Sequence, residues 1–517
     1  LSSPTNSSPN TTIEVLRQQR IDKISAMREL GLDPFPSKSN RTSYVAPILT
    51  NFEAEEGKDV TVAGRLISWR KQGGMAFGHI QDQTGEIQLM LRRQTLAVTD
   101  ASKNIIGYED LKLLDIGDIV EATGKVGKTQ RGEISILVDN VRFLTKSLRP
   151  LPDKWGGIAD REISIRKRYL DMISEPEKRR RFENIGKMLF EIRRFLHDRG
   201  FIEFHTPVIQ PQYGGGTAKP FRTTVNALST EMYLSISHEL YLKRLIAAGF
   251  DKVYTIGRYF RNEGIDKSHH PEFAMIETMT AYENYEYNME LIESMFRHIA
   301  VHAFGKTTFQ VGEHQVDFSQ PWARLDMAGV VKERLGVDFR DFTTADEANA
   351  ALRQLGVEEV AQTPGHALVY AFEEKVAPTL IQPTLVYGHP IEISPLAKPL
   401  REDPRFVERF EIYIGGIECG DNWSEQNDPV TLLERWRQMY KHDHREGEYQ
   451  PLDYDFLEML EHGMPPTTGI GPGIERMSMI FTEQSDIYDV IFFPLMKPVM
   501  SQVNKAIYKA EGPAVAE

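Results

Sequence analysis

The sequence predicts an α+β protein, a small N-terminal β-barrel followed by a larger domain of antiparallel strands and flanking helices. Three stretches carry that expectation. Between Val60 and Phe143, four β-rich runs (VTVAGRLISWR, AFGHIQDQTGEIQLMLRR, DIVEATGKVGKT and EISILVDNVRFL) are separated by glycine-containing turns and one helical stretch. Residues 254–282, YTIGRYFRNEGIDKSHHPEFAMIETMTAY, read as strand, loop and strand. Gly469 to Phe481, GIGPGIERMSMIF, has glycines at alternate positions and then an amphipathic run carrying Arg476.

Composition sets the bounds. The 517 residues suffice for two or three domains, and 41% hydrophobic with 26% charged residues is the balance of a folded globular chain. A single cysteine, Cys419, excludes an intramolecular disulfide and fits a reducing compartment, so a cytoplasmic location is expected. No apolar run approaches the ~20 residues that span a bilayer. Residues 1–12, LSSPTNSSPNTT, lack the basic-then-apolar order of a secretory signal and read as a flexible tail, and the leading leucine suggests that the initiator region is missing or altered.

The elements follow in order. Within an N-terminal lead-in of residues 13–57, Ile13 to Leu30 has helical period, with Ile13, Leu16, Ile24 and Met27 on one face that is expected to pack on the barrel. The barrel, residues 58–148, has the strand order of an OB-fold. The net charge is -13, yet Lys58 to Arg149 holds 14 Lys and Arg against 11 Asp and Glu, a local excess compatible with a polyanionic partner. Such barrels stack bases of a single strand on aromatics and read their edges with polar groups. Phe77, Arg70 and Gln88 would share one face of the first three strands, with Glu133 on the loop entering the last. Residues 149–180, opening on RPLPD, read as a linker into a domain of residues 181–500. There Ile185–Phe195 is helical in period and Gly200 to Pro207 is a strand ending at proline.

In the 254–282 hairpin, Arg261 can fork onto a carboxylate or phosphate, Glu263 can accept from an adenine amino group, and Phe273 offers a flat stacking face. That combination fits a nucleotide site. Residues 309–386 carry no assignable motif and read as a helical insertion. Glu411 and Glu418 are seven apart in FEIYIGGIECG, which on a continuous strand puts them on opposite faces, so the Gly415-Gly416 pair is expected to bend or bulge it. Residues 501–517 read as a C-terminal tail.

The FRNEG and HHPEF halves of the hairpin, GIGPGIER, and the 185–207 segment resemble motifs 2, 3 and 1 of class II aminoacyl-tRNA synthetases. GGGTAKPF (214–221), HELYLKRLIAAGFDKVYTIGRYFRNEGI (238–265), ISPLAKP (393–399) and SEQND (424–428) resemble lysyl-tRNA synthetases of the type with an N-terminal OB-fold, over about Ile13 to Pro498. The resemblance implies a class II catalytic domain, a homodimer through the Pro207 region, and tRNA(Lys), ATP and L-lysine as partners with no membrane. It implies Mg²⁺ on Glu411 and Glu418, whose oxygen-only ligands suit that ion beside ATP phosphates. Arg261 and Arg476 take catalytic roles by matching position. ATP contacts fall on Arg261, Glu263, His269, Phe273, Glu411 and Arg476, and anticodon contacts on Arg70, Phe77, Gln88 and Glu133. Glu277 and Glu425 match the acids for the lysine ε-ammonium, and Glu239 with the Gly215 backbone those for the α-ammonium.

The chain departs from that pattern in the pocket. Met279 stands where a tyrosine is common, Asp421-Asn422-Trp423 where Asn-Gly-Phe is common, and Gly216 where a small side chain is common. Asp421 beside a substrate carboxylate sets up a repulsion of up to ~4 kcal/mol at an effective dielectric of 20, unless it pairs with a cation or takes a third metal. Two readings follow for Met279, Asp421 and Trp423. One is a lineage variant that attaches lysine to tRNA, and the other a paralogue that activates a lysine analogue or lysylates a non-tRNA acceptor.

Overall fold

The structure is a computed structural model that describes residues 12–152, 158–216, 218–442, 452–499 and 501–508. The chain divides into two compact units, one running to Ala159 and joined by the segment from Lys497, the other Asp160–Met496. Residues 1–11 of the expected tail lie outside the described residues.

In the first unit, five strands (Asp59–Gln72, Met75–Gln81, Glu86–Arg92, Ile119–Lys128 and Ile134–Thr145) close into a barrel. Closure comes from a parallel pairing of the third and fifth strands, Gln88 opposite Ser135. The Ile134–Thr145 strand bulges at Asp139, opposite Thr123 and Gly124, and a Cβ at Gly124 would lie 2.1 Å from the Leu137 carbonyl oxygen, so only glycine lets the two backbones meet. Helix Ile13–Glu29 buries Ile24 and Met27, and Met27 joins the barrel core. Leu16 is half-buried and Ile13 exposed, so the expected apolar face is buried only at its C-terminal half.

An ion cluster closes one end of the barrel. Lys146, fully buried, donates to Asp118 at 2.8 Å, to Asp115 at 2.5 Å and to the Leu113 carbonyl at 2.7 Å. Lys23 of the N-terminal helix reaches the same Asp115 at 2.7 Å, so helix and barrel share one carboxylate. Burial pushes the Asp118 carboxyl up against the pull of Lys146. The expected C-terminal tail contains a helix, Gln502–Tyr508, whose Asn504 accepts from Arg149 at 2.9 Å. Residues 509–517 lie outside the described residues.

The second unit is built on an eight-stranded sheet in the order Ala323–Asp326, Thr384–Pro390, Phe406–Ile414, Ile417–Ser424, Thr467–Pro472, Glu272–Ala281, Lys252–Phe260, Ile202–Glu203. Only the two edge pairings are parallel. Helices Pro176–His197 and Tyr285–Phe304 cover it, burying Met188, Ile192 and Phe195 of one and Ile292 and Phe296 of the other in one core. The 149–180 linker is helical from Arg161, because Arg161–Arg166 and Arg168–Ser174 form helices, the first capped by Asp160. The 309–386 insertion is not all helical. It opens with a strand pair, Thr308–Val311 and His314–Asp317, and supplies the edge strand Ala323–Asp326 before its helices begin. The strand expected over 200–207 is confined to Ile202–Glu203.

Removing the buried ammonium should leave two carboxylates uncompensated. Lys146→Met is expected to cost the barrel unit about 3–5 kcal/mol, seen as a lowered urea midpoint for that unit. An unchanged midpoint would show that the cluster contributes nothing.

Candidate active site

Strands Lys252–Phe260 and Glu272–Ala281 pair antiparallel in unbroken register from Lys252 opposite Thr280 to Phe260 opposite Glu272. Alternation therefore sends Phe273, Met275, Glu277 and Met279 to one face. That face lines a cavity of about 580 Å³, and every catalytic, nucleotide, amino-acid and metal candidate read from the sequence of this unit lines it too.

Glu411 and Glu418 reach it by a route the sequence reading had wrong. Gly415 and Gly416, at φ 64° and 77°, do not bulge a continuous strand but form a two-residue hairpin turn joining Phe406–Ile414 to Ile417–Ser424. The bulge lies at Cys419, which is skipped between the Ile412–Gly420 and Tyr413–Glu418 pairs. That extra residue restores parity, so Arg409, Glu411, Tyr413, Glu418, Asp421 and Trp423 all line the cavity.

The nucleotide candidates cluster. The Arg261 guanidinium lies 5.2 Å from the centre of the Phe273 ring, and its backbone N–H donates to the Pro271 carbonyl. Arg261 Nε is buried without a partner among the described residues. Glu263 accepts from the Lys219 N–H at 3.2 Å. Arg476 pairs with the Glu418 carboxylate, donates to the Glu418 carbonyl at 2.8 Å, and approaches His269 Nε2 at 3.2 Å. His269 Nδ1 faces Asp266 at 2.8 Å, which with Arg476 on the other nitrogen fits a proton on Nδ1.

Asp421 is paired rather than repelling. Arg409 holds it by two bonds, 2.9 and 2.7 Å, and Glu411 by a third at 2.8 Å. Asp421 Oδ1 also accepts the Asn422 N–H at 2.8 Å. Removal from water would raise the Glu411 carboxyl, but His389, Arg409 and the Tyr413 hydroxyl outweigh it and hold Glu411 well below the usual carboxylate range. Asp421 is pushed up to about 6 by the same desolvation, against Arg409. Arg409, missed in the sequence, sits two residues before Glu411 on the same strand face, a period-2 signal that was available.

At the amino-acid candidates, Ser237 Oγ and the His238 N–H donate to the two Glu277 oxygens at 2.8 and 3.0 Å. Burial, with Glu239 adding, pushes Glu277 up to about 7. Glu239 opens helix Glu239–Ala247 and pairs with Lys243 one turn on. Lys243 also reaches Glu425 Oε2 at 2.5 Å, where the Trp423 indole N–H donates at 2.7 Å. Glu425 Oε1 is buried and has no partner among the described residues. Burial pushes Glu425 up to about 8, against Lys243. Gly469 is the register partner of both Met279 and Trp423. A Cβ there would lie 2.6 Å from Met279 Sδ and 3.0 Å from Glu425 Oε1. Gly215, at φ 79°, has room for no side chain against Ser237, whereas Gly216 has nothing within 3.9 Å of a Cβ.

In the barrel, the expected face assembles. Arg70 and Phe77 are register partners with the guanidinium 5.0 Å from the ring centre. Gln88 donates to Glu133 at 2.7 Å and accepts from Ser135 at 3.0 Å. His79, not singled out in the sequence, bonds the other Glu133 oxygen at 2.9 Å and Ser68 at 2.9 Å.

A family model described as class II tRNA synthetases (D, K and N) matches residues 160–497, and one described as an OB-fold nucleic acid binding domain matches residues 60–144. The chain is 42% identical over 489 residues to the lysine-tRNA ligase of Bacillus subtilis (strain 168), covering 93% of this chain and 97% of that protein. It is 44% identical over 490 residues to the lysine-tRNA ligase of Oceanobacillus iheyensis, covering 93% and 98%, and 42% identical over 492 residues to that of Syntrophomonas wolfei, covering 95% and 98%.

Glu475 gives a pH signature. Its carboxylate accepts the Ala274 N–H at 2.9 and 3.1 Å, tying the helix after the glycine run to the Glu272–Ala281 strand, and burial pushes it up to about 7. A carboxyl raised on folding keeps its proton longest in the native state, so its contribution is complete below pH ~4 and is lost as pH rises through 7. Glu475→Gln keeps an acceptor and cannot ionise. It is expected to raise stability at pH 8 by on the order of 1–3 kcal/mol and to change it little at pH 5, read by urea unfolding at both pH values. An equal difference at both would remove titration as the cause.

Proposed function

We propose roles for these residues from one premise: the chain belongs to the class II aminoacyl-tRNA synthetases, in the lysine-tRNA ligase family. It attaches L-lysine to tRNA with ATP. Lysine and ATP give lysyl-adenylate and pyrophosphate, and the lysyl group then passes to the terminal ribose of tRNA(Lys) with release of AMP.

The unit Asp160–Met496 carries the chemistry. Arg261 binds the substrate carboxylate and the α-phosphate together and aligns them for in-line attack, its buried Nε being open to such a ligand. The lysine carboxylate is already ionised near neutral pH, so no general base is needed and catalysis is positioning plus charge neutralisation. Phe273 stacks on the adenine and Glu263 accepts from its amino group. Arg476 covers the other adenine face and, with His269, meets the polyphosphate. To do so Arg476 gives up Glu418, and the carboxylate it releases becomes available to a cation.

Glu411 and Glu418 line the cavity with carboxylate oxygens, and these two residues would hold Mg²⁺, an ion that favours oxygen donors beside phosphates. The ion would neutralise phosphate charge as pyrophosphate leaves. Asp421 has both oxygens on Arg409; Glu411 is engaged in the same way, by Arg409 at 2.8 Å and the Tyr413 hydroxyl at 2.7 Å, so a cation there would share its oxygens with those donors.

Lysine selection rests on one observation above the others: buried Glu425 Oε1 has no partner. It accepts the ε-ammonium. Glu277, engaged by Ser237 and His238, adds negative field there. Glu239 and the Gly215 carbonyl take the α-ammonium, with Met279 and Trp423 as apolar walls.

The barrel unit, residues 58–148, reads the anticodon, with a base stacked at Phe77 and Arg70 and base edges read by Gln88 and Glu133. Exposed Phe190, Ile202, Val208 and Ile209 lie in and beside the motif 1 segment and fit burial in a homodimer. No helix among the described residues is long and apolar enough to cross a membrane. The single cysteine, buried and unpaired, supports a cytoplasmic setting.

ATP-pyrophosphate exchange across the twenty amino acids tests the assignment, with exchange expected for L-lysine. Glu425→Gln is expected to cost about 3–5 kcal/mol in kcat/KM for lysine, roughly two to four orders of magnitude. Exchange that responds to another amine and not to lysine would overturn the reading. Phe77→Ala should weaken tRNA binding by about 1–3 kcal/mol and leave the exchange rate unchanged. A loss of exchange instead would show that Phe77 supports the fold rather than the RNA.

A further inference from the structure

Lys243 has no part in the chemistry above, yet it is one of the most completely buried charges in the molecule, at 2% exposure. It lies one helical turn after Glu239, so helix Glu239–Ala247 presents both to the same side. Glu425 comes from another element, just past the strand Ile417–Ser424, anchored by its N–H to the Thr467 carbonyl at 2.8 Å. The two carboxylates meet on one ammonium: Lys243 bonds Glu239 Oε1, and Glu425 Oε2 at 2.5 Å.

The bonds to Lys243 are one-sided. Each acid spends one oxygen on it, and among the described residues the other oxygen of Glu425 has no partner at all. The Trp423 indole takes a second place on the oxygen already held, at 2.7 Å, and leaves Oε1 alone. Oε1 lies beside the thioether of Met279, since a Cβ at Gly469 would be 3.0 Å from the one and 2.6 Å from the other. With Oε2 held by two donors, the Glu425 carboxylate cannot shift away from Lys243 without breaking a buried charge-assisted bond.

We propose that Lys243 is a positioning residue that fixes the separation of the Glu239 and Glu425 carboxylates, and through it the length of diamino acid that the cavity accepts. This rests on the assignment of Glu239 to the α-ammonium and Glu425 to the ε-ammonium. With both acids tied to one rigid cation, a chain one methylene too short leaves an ammonium and Glu425 Oε1 apart in a dry site. Untied, Glu425 can follow the shorter chain, and discrimination falls. A role confined to neutralising buried charge would lower activity toward every substrate alike.

The test is ATP-pyrophosphate exchange with L-lysine and with L-ornithine, one methylene shorter, on the full chain. The parent is expected to prefer lysine by about 100-fold or more in kcat/KM, and Lys243→Met to reduce that preference about tenfold with the KM for ATP within about twofold. Trp423→Phe, which removes the second anchor and also alters a wall of the cavity, is expected to move the preference the same way by less. A preference unchanged in both variants overturns the proposal. If Lys243→Met does not fold, Lys243→Gln, which keeps a donor of shorter reach, decides, an unchanged preference overturning the proposal and a reduced one upholding it. Absence of lysine-dependent exchange in the parent would instead remove the assignment of the acids on which the proposal stands.

Discussion

Carboxylates taken out of water must be met by a cation or an N–H, and both units are arranged around that constraint. Asp118 has Lys146, Asp421 and Glu411 share Arg409, Glu239 and Glu425 share Lys243, Glu277 has Ser237 and the start of a helix, and Glu475 has the Ala274 amide. The catalytic unit collects most of these acids on a single sheet face. A face so acidic folds only because cations stand among its acids, and the enzyme then uses whatever oxygen those cations leave over.

That arrangement also relates the pocket's departures from the family pattern to one another. Met279 and Trp423 look independent in sequence, but Gly469 pairs with both across the sheet, so they are neighbours over a position with no side chain. Trp423 supplies an N–H to Glu425 in a pocket where Met279 has no hydroxyl to give. Asp421, which on its own threatens the substrate carboxylate with repulsion, is cancelled by an arginine on the adjacent strand. The three differences change how Glu425 and the pocket wall are held without emptying the site of charge.

What was legible in the sequence follows from where the information is local. The 252–281 hairpin carries its own alternation and turn residues, and the barrel its evenly spaced runs, so their strands and the faces of Phe77, Gln88, Phe273 and Glu277 could be placed from spacing and resemblance. Lys243 and Arg409 were overlooked although they stand four and two residues from named acids, because a sequence lists charges and does not say which are buried together. The Gly415-Gly416 pair was misplaced because parity was applied to a strand that in fact turns back. The edge strand at Ala323 and the helix at Gln502 depend on partners far along the chain or on weak local signals.

The bulge at Cys419 has a consequence for how this hairpin can change over time. One unpaired residue is all that keeps Glu418 on the side of the sheet where Glu411 and Asp421 stand. Losing or gaining a single residue in that arm would turn an acid to the opposite side while leaving every side chain in the alignment seemingly intact. The loop 261–271 can change length without inverting either strand beside it. In this hairpin the number of residues is inherited information in the same sense as their identity, and a length variant would be a change of function written without any substitution.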